Sequence, residues 1–463
     1  MTTSLTALLP ATERALLTRI ATAQSAGRCP SLVAGVAREG ELVWTGGRAA
    51  GGGDDAVETQ YRIGSITKTF TAVLVLRLRD EGLLDLEDPV ERYLPEAGLG
   101  QVTIAQLLGH SAGLSAEPPG PWWERTPGAL RPELADVLGE GAGTHPVGRR
   151  HHYSNTGYTV LGALVAAVRG GTWEEALRRE ILEPLGMTRT SVLPQAPAAE
   201  GWAVHPWADV LLPEPSEDLG LMTPAGGLWS TVADLCRFAV FLAEGDERVL
   251  GASSVQEMRT PSVPLESGEW NATYGLGLQI IGDREHTLVG HGGSLPGFVA
   301  GLWFDVEDRI ASVVLANATS GPNVSAVAVE LVRTVAEAEP RVPAPWRPLT
   351  GVDQELLALT GPWYWGTYSY VLRLLSDRAL ELQPIQGAGR GAVFLAGDNG
   401  TWTGQSGYHA GETLRVVRRE DGSVRHLDVG SFVFTREPYE PGAGVPGGVD
   451  PAGWRGVPDP AQG

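Results

Sequence analysis

Cysteine is nearly missing from this chain of 463 residues, with only Cys29 and Cys236 present. One disulfide is possible on that count, but two scattered cysteines in so large a chain are expected to stay reduced and buried, which excludes a disulfide scaffold. Positive charge is also scarce. Thirty-five Lys and Arg stand against 55 Asp and Glu, a formal net charge of −20. No partnership with nucleic acid or with an anionic membrane surface is therefore expected, and the acidity reads as solubility. The stretch from Met1 to Pro10 lacks a basic start and a sustained apolar core, and the chain then turns polar at Ala11-Thr12-Glu13-Arg14. Neither a signal peptide nor a transmembrane span is expected, and the protein is read as cytoplasmic. Metal-ligand patterns are missing too. His151 and His152 are adjacent, but no carboxylate at ligand spacing completes a site. No cofactor is expected.

What the chain has is length for two domains and abundant turn formers, 61 Gly and 33 Pro. Residues 11–25 read as a helix. Ser31 to Val36 and Glu41 to Thr45 read as strands joined by a turn at Arg38-Glu39-Gly40, and Gly46 to Asp55 as a glycine-rich loop. A buried helix is expected over the apolar run Phe70 to Leu84. Further helices are expected at Val102 to Leu108, Tyr158 to Val168, 173–183, Thr231 to Leu242 and Val327 to Glu337, and strands between Tyr274 and Asn317. Glu117 to Pro127 is a loop rich in Pro and Trp, and Leu193 to Pro215 reads as irregular. The Pro-rich run at 339–349 reads as a stiff linker. Beyond it helical periodicity vanishes. Short alternating strands at even spacing from Tyr368 to Thr435 suggest a small up-and-down barrel or sandwich in a domain at 350–440. The Gly/Pro-rich tail at 441–463 is expected to be disordered.

Three segments carry chemistry. Ser65 and Lys68 stand three apart at the head of the apolar helix, so they share a helix face and the lysine can reach the hydroxyl. Serine needs a base to become a nucleophile, and lysine can be one only if burial pushes it toward neutrality. Alone this pattern is weak, because a helix start with a solvated lysine looks the same. Tyr153-Ser154-Asn155 precedes another apolar helix. Its phenol could relay protons and its amide orient a substrate, but read alone the segment is more readily a helix cap. The third is Gly290-His291-Gly292-Gly293-Ser294, whose glycines let a ligand backbone approach a strand. His291 could bond a substrate carboxylate or the Tyr153 oxygen, or the segment could be a turn with an exposed histidine.

Together, Ser65-Ile66-Thr67-Lys68, Tyr153-Ser154-Asn155 and His291-Gly292-Gly293 resemble the serine β-lactamase and penicillin-binding-protein-like superfamily, particularly its class C and esterase-like branch. Flanking stretches resemble it too, notably Thr103 to Leu114 and Pro224 to Thr231. The resemblance covers roughly residues 10–338, a catalytic domain at 1–338. It implies an α/β (α+β) fold with a central antiparallel sheet flanked by helices. It also implies that Ser65 attacks an acyl carbonyl while Lys68 and Tyr153 handle protons, that the Ser65 and Ser294 amides form the oxyanion hole, and that Asn155 holds the substrate amide. Gly226, Gly292 and Gly293 would line the substrate. Many β-lactamases carry Lys-Thr-Gly where this chain has His291-Gly292-Gly293, which weakens the case for a β-lactamase. The histidine form occurs in esterases, D-amino-acid peptidases and peptide-cyclising relatives.

With a second, lipocalin-like β-barrel domain, the chain looks like the penicillin-binding-protein-type thioesterases. That implies a peptidyl thioester substrate presented by a peptidyl carrier protein, and release by head-to-tail cyclisation in nonribosomal peptide biosynthesis. Trp122 and Trp123 suit an apolar chain, and Arg436, with Arg415 second, is the candidate to receive a chain-end carboxylate from the barrel. The alternative is a D-stereospecific peptidase or esterase with the same residues and water as acceptor.

Overall fold

Strands that are apolar on both sides, such as Ser31–Arg38 and Ile310–Ala316, are stable only where both faces of a sheet are covered. The computed structural model uses them that way. It describes residues 7–50, 57–126, 133–264, 272–283, 286–343, 345–351, 353–376, 378–387, 389–397 and 400–440, with 442, 444 and 446. The chain forms two compact units, Met1–Arg341 and Val342–Gly463.

The first unit holds an eight-stranded sheet in the spatial order Glu41–Ala49, Ser31–Arg38, Ile310–Ala316, Phe298–Asp305, His286–Leu295, Gln279–Asp283, Ala272–Tyr274, Val263–Pro264. All its ladders are antiparallel. Five long helices matter here: α1 (Pro10–Ala26), α2 (Thr67–Asp80), α3 (Asn155–Arg169), α4 (Val232–Glu244) and α5 (Val324–Ala338). Period-two alternation divides the first strand between two cores. Leu32, Ala34 and Val36 join Leu16 and Ile20 of α1 and the apolar side of α5. Val33 and Ala37 join the larger core of α2, α3 and α4. Between them Gly35 lets α4 lie on the sheet, because a Cβ there would stand 2.3 Å from Val232 Cγ1.

Helix α2 runs through the middle of the larger core, buried from Thr67 to Leu76, and Phe70 stacks on Phe238 at 3.7 Å. Its exit at Arg79-Asp80 is polar, and Glu81 closes it.

The second unit is an eight-stranded antiparallel meander from Gly361–Trp365 to Phe432–Phe434. Reciprocal backbone bonds of 2.8 and 2.9 Å between Tyr364 and Thr435 join its first strand to the chain just past its last, giving a nearly closed barrel. Alternate side chains fill it, among them Trp363, Leu372, Leu382, Phe394, Leu414, Leu427 and Phe434. Leu359, at the end of the short helix Gln354–Leu359, is buried in this core.

Several boundaries differ from the sequence reading. The second strand continues to Ala49 through the expected glycine loop, since Gly46 and Gly47 pair with Ala34 and Val33. The 193–215 region holds a small hairpin, Trp202–Val204 with Leu211–Pro213. Helices Ala252–Met258 and Gln354–Leu359 and strand Gly361–Trp365 were not expected; they are short and lack a periodic apolar pattern. The expected disordered tail lies almost wholly outside the described residues. Cys29 and Cys236 are free and buried. Among the described residues no helix is long and apolar enough to cross a membrane.

Because Phe70 is fully buried between helices, Phe70→Ala should cost about 3–5 kcal/mol of stability, read as a lower midpoint in urea unfolding with the denaturant slope unchanged.

Candidate active site

Ser65 does not begin the α-helix. It sits in a 3₁₀ turn, Gly64–Ile66, ahead of α2. Gly64 holds φ +51°, a region that an L side chain rarely adopts. From Tyr61 to Phe70 every residue is buried except Ser65, which is half-buried. The turn therefore exposes one hydroxyl at the rim of an apolar helix.

One turn on, Lys68 is fully buried, and it is the only lysine in the sequence. Its Nζ donates to Ser65 Oγ (3.1 Å), Asn155 Oδ1 (2.5 Å) and the Ala225 carbonyl (2.6 Å). Burial lowers its pKa from 10.5 to about 7, against the opposing charges of Glu117 and Glu124. Two of the three partners are carbonyl oxygens, which can only accept. When Lys68 loses a proton, those two keep its remaining N–H groups and the lone pair faces Ser65. The hydrogen-bond arrangement thus aims a near-neutral base at the nucleophile.

Asn155 begins α3, where Ser154 is the N-cap, its Oγ accepting from Gly157 N at 2.9 Å. The cap reading and the catalytic reading of Tyr153-Ser154-Asn155 are therefore compatible. Tyr153 is half-buried with its Oη enclosed, and Lys68 Nζ lies 4.8 Å from its ring centre. Burial raises the phenol pKa well above 10, and the nearby Ser65 hydroxyl pulls it back only in part. Its Oη makes no hydrogen bond of regular geometry among the described groups. A phenol kept protonated beside the nucleophile is equipped to donate a proton to a leaving group.

The third motif lies in a strand rather than a turn. Pairing with Gln279–Asp283 ends at Gly290, so the 291–295 segment has an edge free to meet the Ser65 turn. The meeting is backbone to backbone. A Cβ on Gly293 would lie 2.0 Å from Ile63 O and 3.0 Å from Ser65 N, and one on Gly64 would lie 2.5 Å from Ser294 N. These glycines bring the Ser65 and Ser294 amides to one place, as an oxyanion hole requires.

Other expected site residues behave differently. His291 is buried. Nδ1 is 2.6 Å from the Gly292 carbonyl, so it must donate, and Nε2 at 3.0 Å accepts from Tyr274 Oη. Burial lowers its pKa to about 3, so it offers neither charge nor a free nitrogen to a carboxylate or to Tyr153. Gly226 is buried against Gly64, and its helix reaches the site through the Ala225 carbonyl. A Cβ on Gly292 would meet Ser325 Oγ at 2.8 Å, so that face turns toward α5. Trp123 is half-buried and lines a cavity of about 370 Å³ with Pro118, Val137, Leu219 and Met222, while Trp122 is 59% exposed. Arg436 is consumed inside its own domain. It donates to the Ala358, Thr360 and Pro362 carbonyls and stacks 4.0 Å from the Trp363 ring centre. That correction removes it as a carboxylate receptor. Arg415 is exposed on the barrel.

Sequence reasoning misses two groups. Glu117 Oε1 accepts from Asn155 Nδ2 (2.8 Å) and its Oε2 from Trp123 Nε1 (2.7 Å). Only its position in the Trp-rich loop could have flagged it. His110, fully buried, accepts from Ser154 N at 3.0 Å and packs 4.3 Å from the Tyr153 ring. Its pKa is held well below the usual value by burial. The uniqueness of Lys68 was available in the composition.

This architecture and the grouping of Ser65, Lys68 and Tyr153 are those of a serine hydrolase fold. The chain belongs to the beta-lactamase family, whose model matches residues 16–337. Residues 352–436 match a family described only as a domain of unknown function. Beta-lactamase-like protein 2 of Dictyostelium discoideum is 28% identical over 245 residues, 50% of this chain and 44% of that protein, so the chain spans less than half of that relative. A D-stereospecific amidohydrolase from Streptomyces sp. is 27% identical, with a TM-score of 0.54, over 70% of this chain and 97% of the other. SurE is 24% identical, with a TM-score of 0.57, over 92% and 99%, and so shares the fold across both units.

Two outcomes are expected. Labelled at lysine Cε with ¹³C, the protein should show one side-chain signal titrating near pH 7. Fluorophosphonate labelling of Ser65 should rise with pH through the same midpoint, because the neutral amine is the base. The unfolded lysine binds its proton up to about 10.5, so this group's contribution to stability increases as pH rises from about 7 to 10.5. Separately, Gly293→Ala should reduce kcat about 10²–10³-fold by parting the two amides, in steady-state assays with any ester that the parent turns over.

Proposed function

We propose that the protein transfers an acyl group through an ester on Ser65, taken from a peptidyl thioester on a carrier protein and released by attack of the chain's own amine. The observation that carries the serine step is Lys68, fully buried, 3.1 Å from Ser65 Oγ, with its other two N–H groups held by carbonyl oxygens. Lys68 takes the Ser65 proton as Oγ bonds to the acyl carbon. The carbonyl oxygen, now an anion, lies between the Ser65 and Ser294 amides. As the tetrahedral centre collapses, the bond to the leaving group breaks and Tyr153, re-protonated through Lys68, supplies the proton. The acceptor reverses these steps. The cyclising branch is supported by architecture, since SurE aligns along its whole length with both domains.

A second reading keeps every step and makes water the acceptor, giving a D-stereospecific peptidase or esterase. The 27% identical D-stereospecific amidohydrolase supports it. In either case the third motif brings no cation for a substrate carboxylate, since His291 is neutral and both its nitrogens are occupied.

Incubation with a linear peptidyl thioester ending in a D-residue and bearing a free amine, with a Ser65→Ala control, separates the readings by mass spectrometry. A cyclic product, one water lighter than the linear acid and absent from the control, is the expected result. Linear acid alone moves the assignment to the hydrolase. Equal products in both samples would remove Ser65 as nucleophile.

A further inference from the structure

His110 stands in the left-handed region of backbone space, at φ +58°. It is buried, and an imidazole is strained in that conformation where glycine or asparagine is not. Its Nδ1 accepts from Ser154 N at 3.0 Å, so the neutral ring carries its proton on Nε2. That enclosed Nε2–H has no hydrogen-bond partner among the described residues. Both features lower stability, and a glycine at this position would remove both. The turn alone therefore gives no reason for a histidine here.

The reason lies in what that conformation reaches. The His110 carbonyl accepts from His152 N at 2.7 Å, and its ring accepts from Ser154 N at 3.0 Å. One residue thus holds the backbone on both sides of Tyr153. The same ring packs on the phenol, with centres 4.3 Å apart and planes tilted by 34°. His291 is farther from that phenol, at 6.1 Å and 47°. The segment after His110 fastens the same stretch of chain but not the phenol. The Leu114 carbonyl meets His152 Nδ1 at 2.7 Å, the Ser115 carbonyl accepts from Ser154 Oγ at 2.6 Å, and the Ala116 carbonyl accepts from Asn155 N at 2.8 Å.

We propose that His110 is the positioning residue for Tyr153, a three-point clamp that fixes the phenol beside Ser65 and Lys68. The inference rests on the reading of Tyr153 as proton donor to the leaving group. As the bond from the acyl carbon to the leaving oxygen breaks, Tyr153 Oη passes its proton to that oxygen and is re-protonated through Lys68. His110 transfers no proton itself, and its effect passes through the placement of the phenol. A phenol that swings free fails first with poor leaving groups, because a good one departs without a proton.

The test compares kcat/KM for the p-nitrophenyl, phenyl and ethyl esters of N-acetyl-D-phenylalanine in the parent, His110→Asn and His110→Gly. Asparagine tolerates the left-handed backbone and its Oδ1 can accept from Ser154 N, so it removes the ring contact alone. Glycine removes the ring and that bond together. In His110→Asn the ethyl ester should lose about tenfold more than the p-nitrophenyl ester, and more again in His110→Gly, with the denaturant slope of urea unfolding unchanged. Tyr153→Phe should show the same grading. Adding His110→Asn to it should then change kcat/KM by less than about twofold, because the two residues act as one unit. Equal losses on all three esters would overturn the proposal and leave His110 a general support of the fold. So would losses that multiply in the double variant. If the parent turns over none of the esters, or Tyr153→Phe shows no grading, the proton-donor reading fails or falls silent by itself, and hydrogen exchange decides the clamp. The Ser154 amide should then exchange about tenfold faster in His110→Gly than in the parent or in His110→Asn, and equal exchange in all three would overturn it.

Discussion

A single amine sits in the centre of this protein, and burying it constrains everything around it. An ammonium taken wholly out of water costs several kcal/mol unless it is paired or gives up its proton. Among the described residues Lys68 has no carboxylate in contact. It meets two carbonyl oxygens and one hydroxyl, and its pKa settles near neutrality. Each of those partners comes from a different element: the Ser65 turn, the first residue of α3, and the short helix Thr223–Gly226. The three must therefore be held together by the larger core. Phe70 against Phe238, and α4 pressed onto Gly35, are the packing that does so.

The second constraint is steric. The Ser65 and Ser294 amides belong to segments more than two hundred residues apart, and those segments approach because two glycines face each other there. Gly64 supplies the left-handed turn, and Gly293 lets a strand edge come within contact of Ile63 and Ser65. A side chain at either point would push the sheet away from the nucleophile. The same strand sets the surroundings of His291. Alternation turns it inward, where Tyr274 and its neighbour's carbonyl satisfy both ring nitrogens.

Charge is distributed unevenly around the site. His110 and His291 are neutral because they are buried, and Lys68 is close to neutral. In the second unit the Arg436 guanidinium closes its own domain by binding three carbonyls and the Trp363 face.

Much of this was legible in the residue order. Ser65 three residues before Lys68, an apolar run behind them, and evenly spaced short strands after a proline-rich linker are local patterns, and local patterns specify the nucleophile, its base, the helix beneath them and the barrel strands. The capping residue Ser154 and the boundaries of α2 follow from the same local chemistry. What tertiary structure alone decided are the contacts between distant segments. Glu117 acquired its place only when its loop met Asn155, and Arg436 lost its expected role only when the barrel closed on it. His291 became an interior residue only when the strand register was set. The sequence by itself determined which atoms could do chemistry. Long-range packing decided which were left unsatisfied, because a hydrogen bond or a charge is spent or spared only by neighbours that the chain order does not reveal.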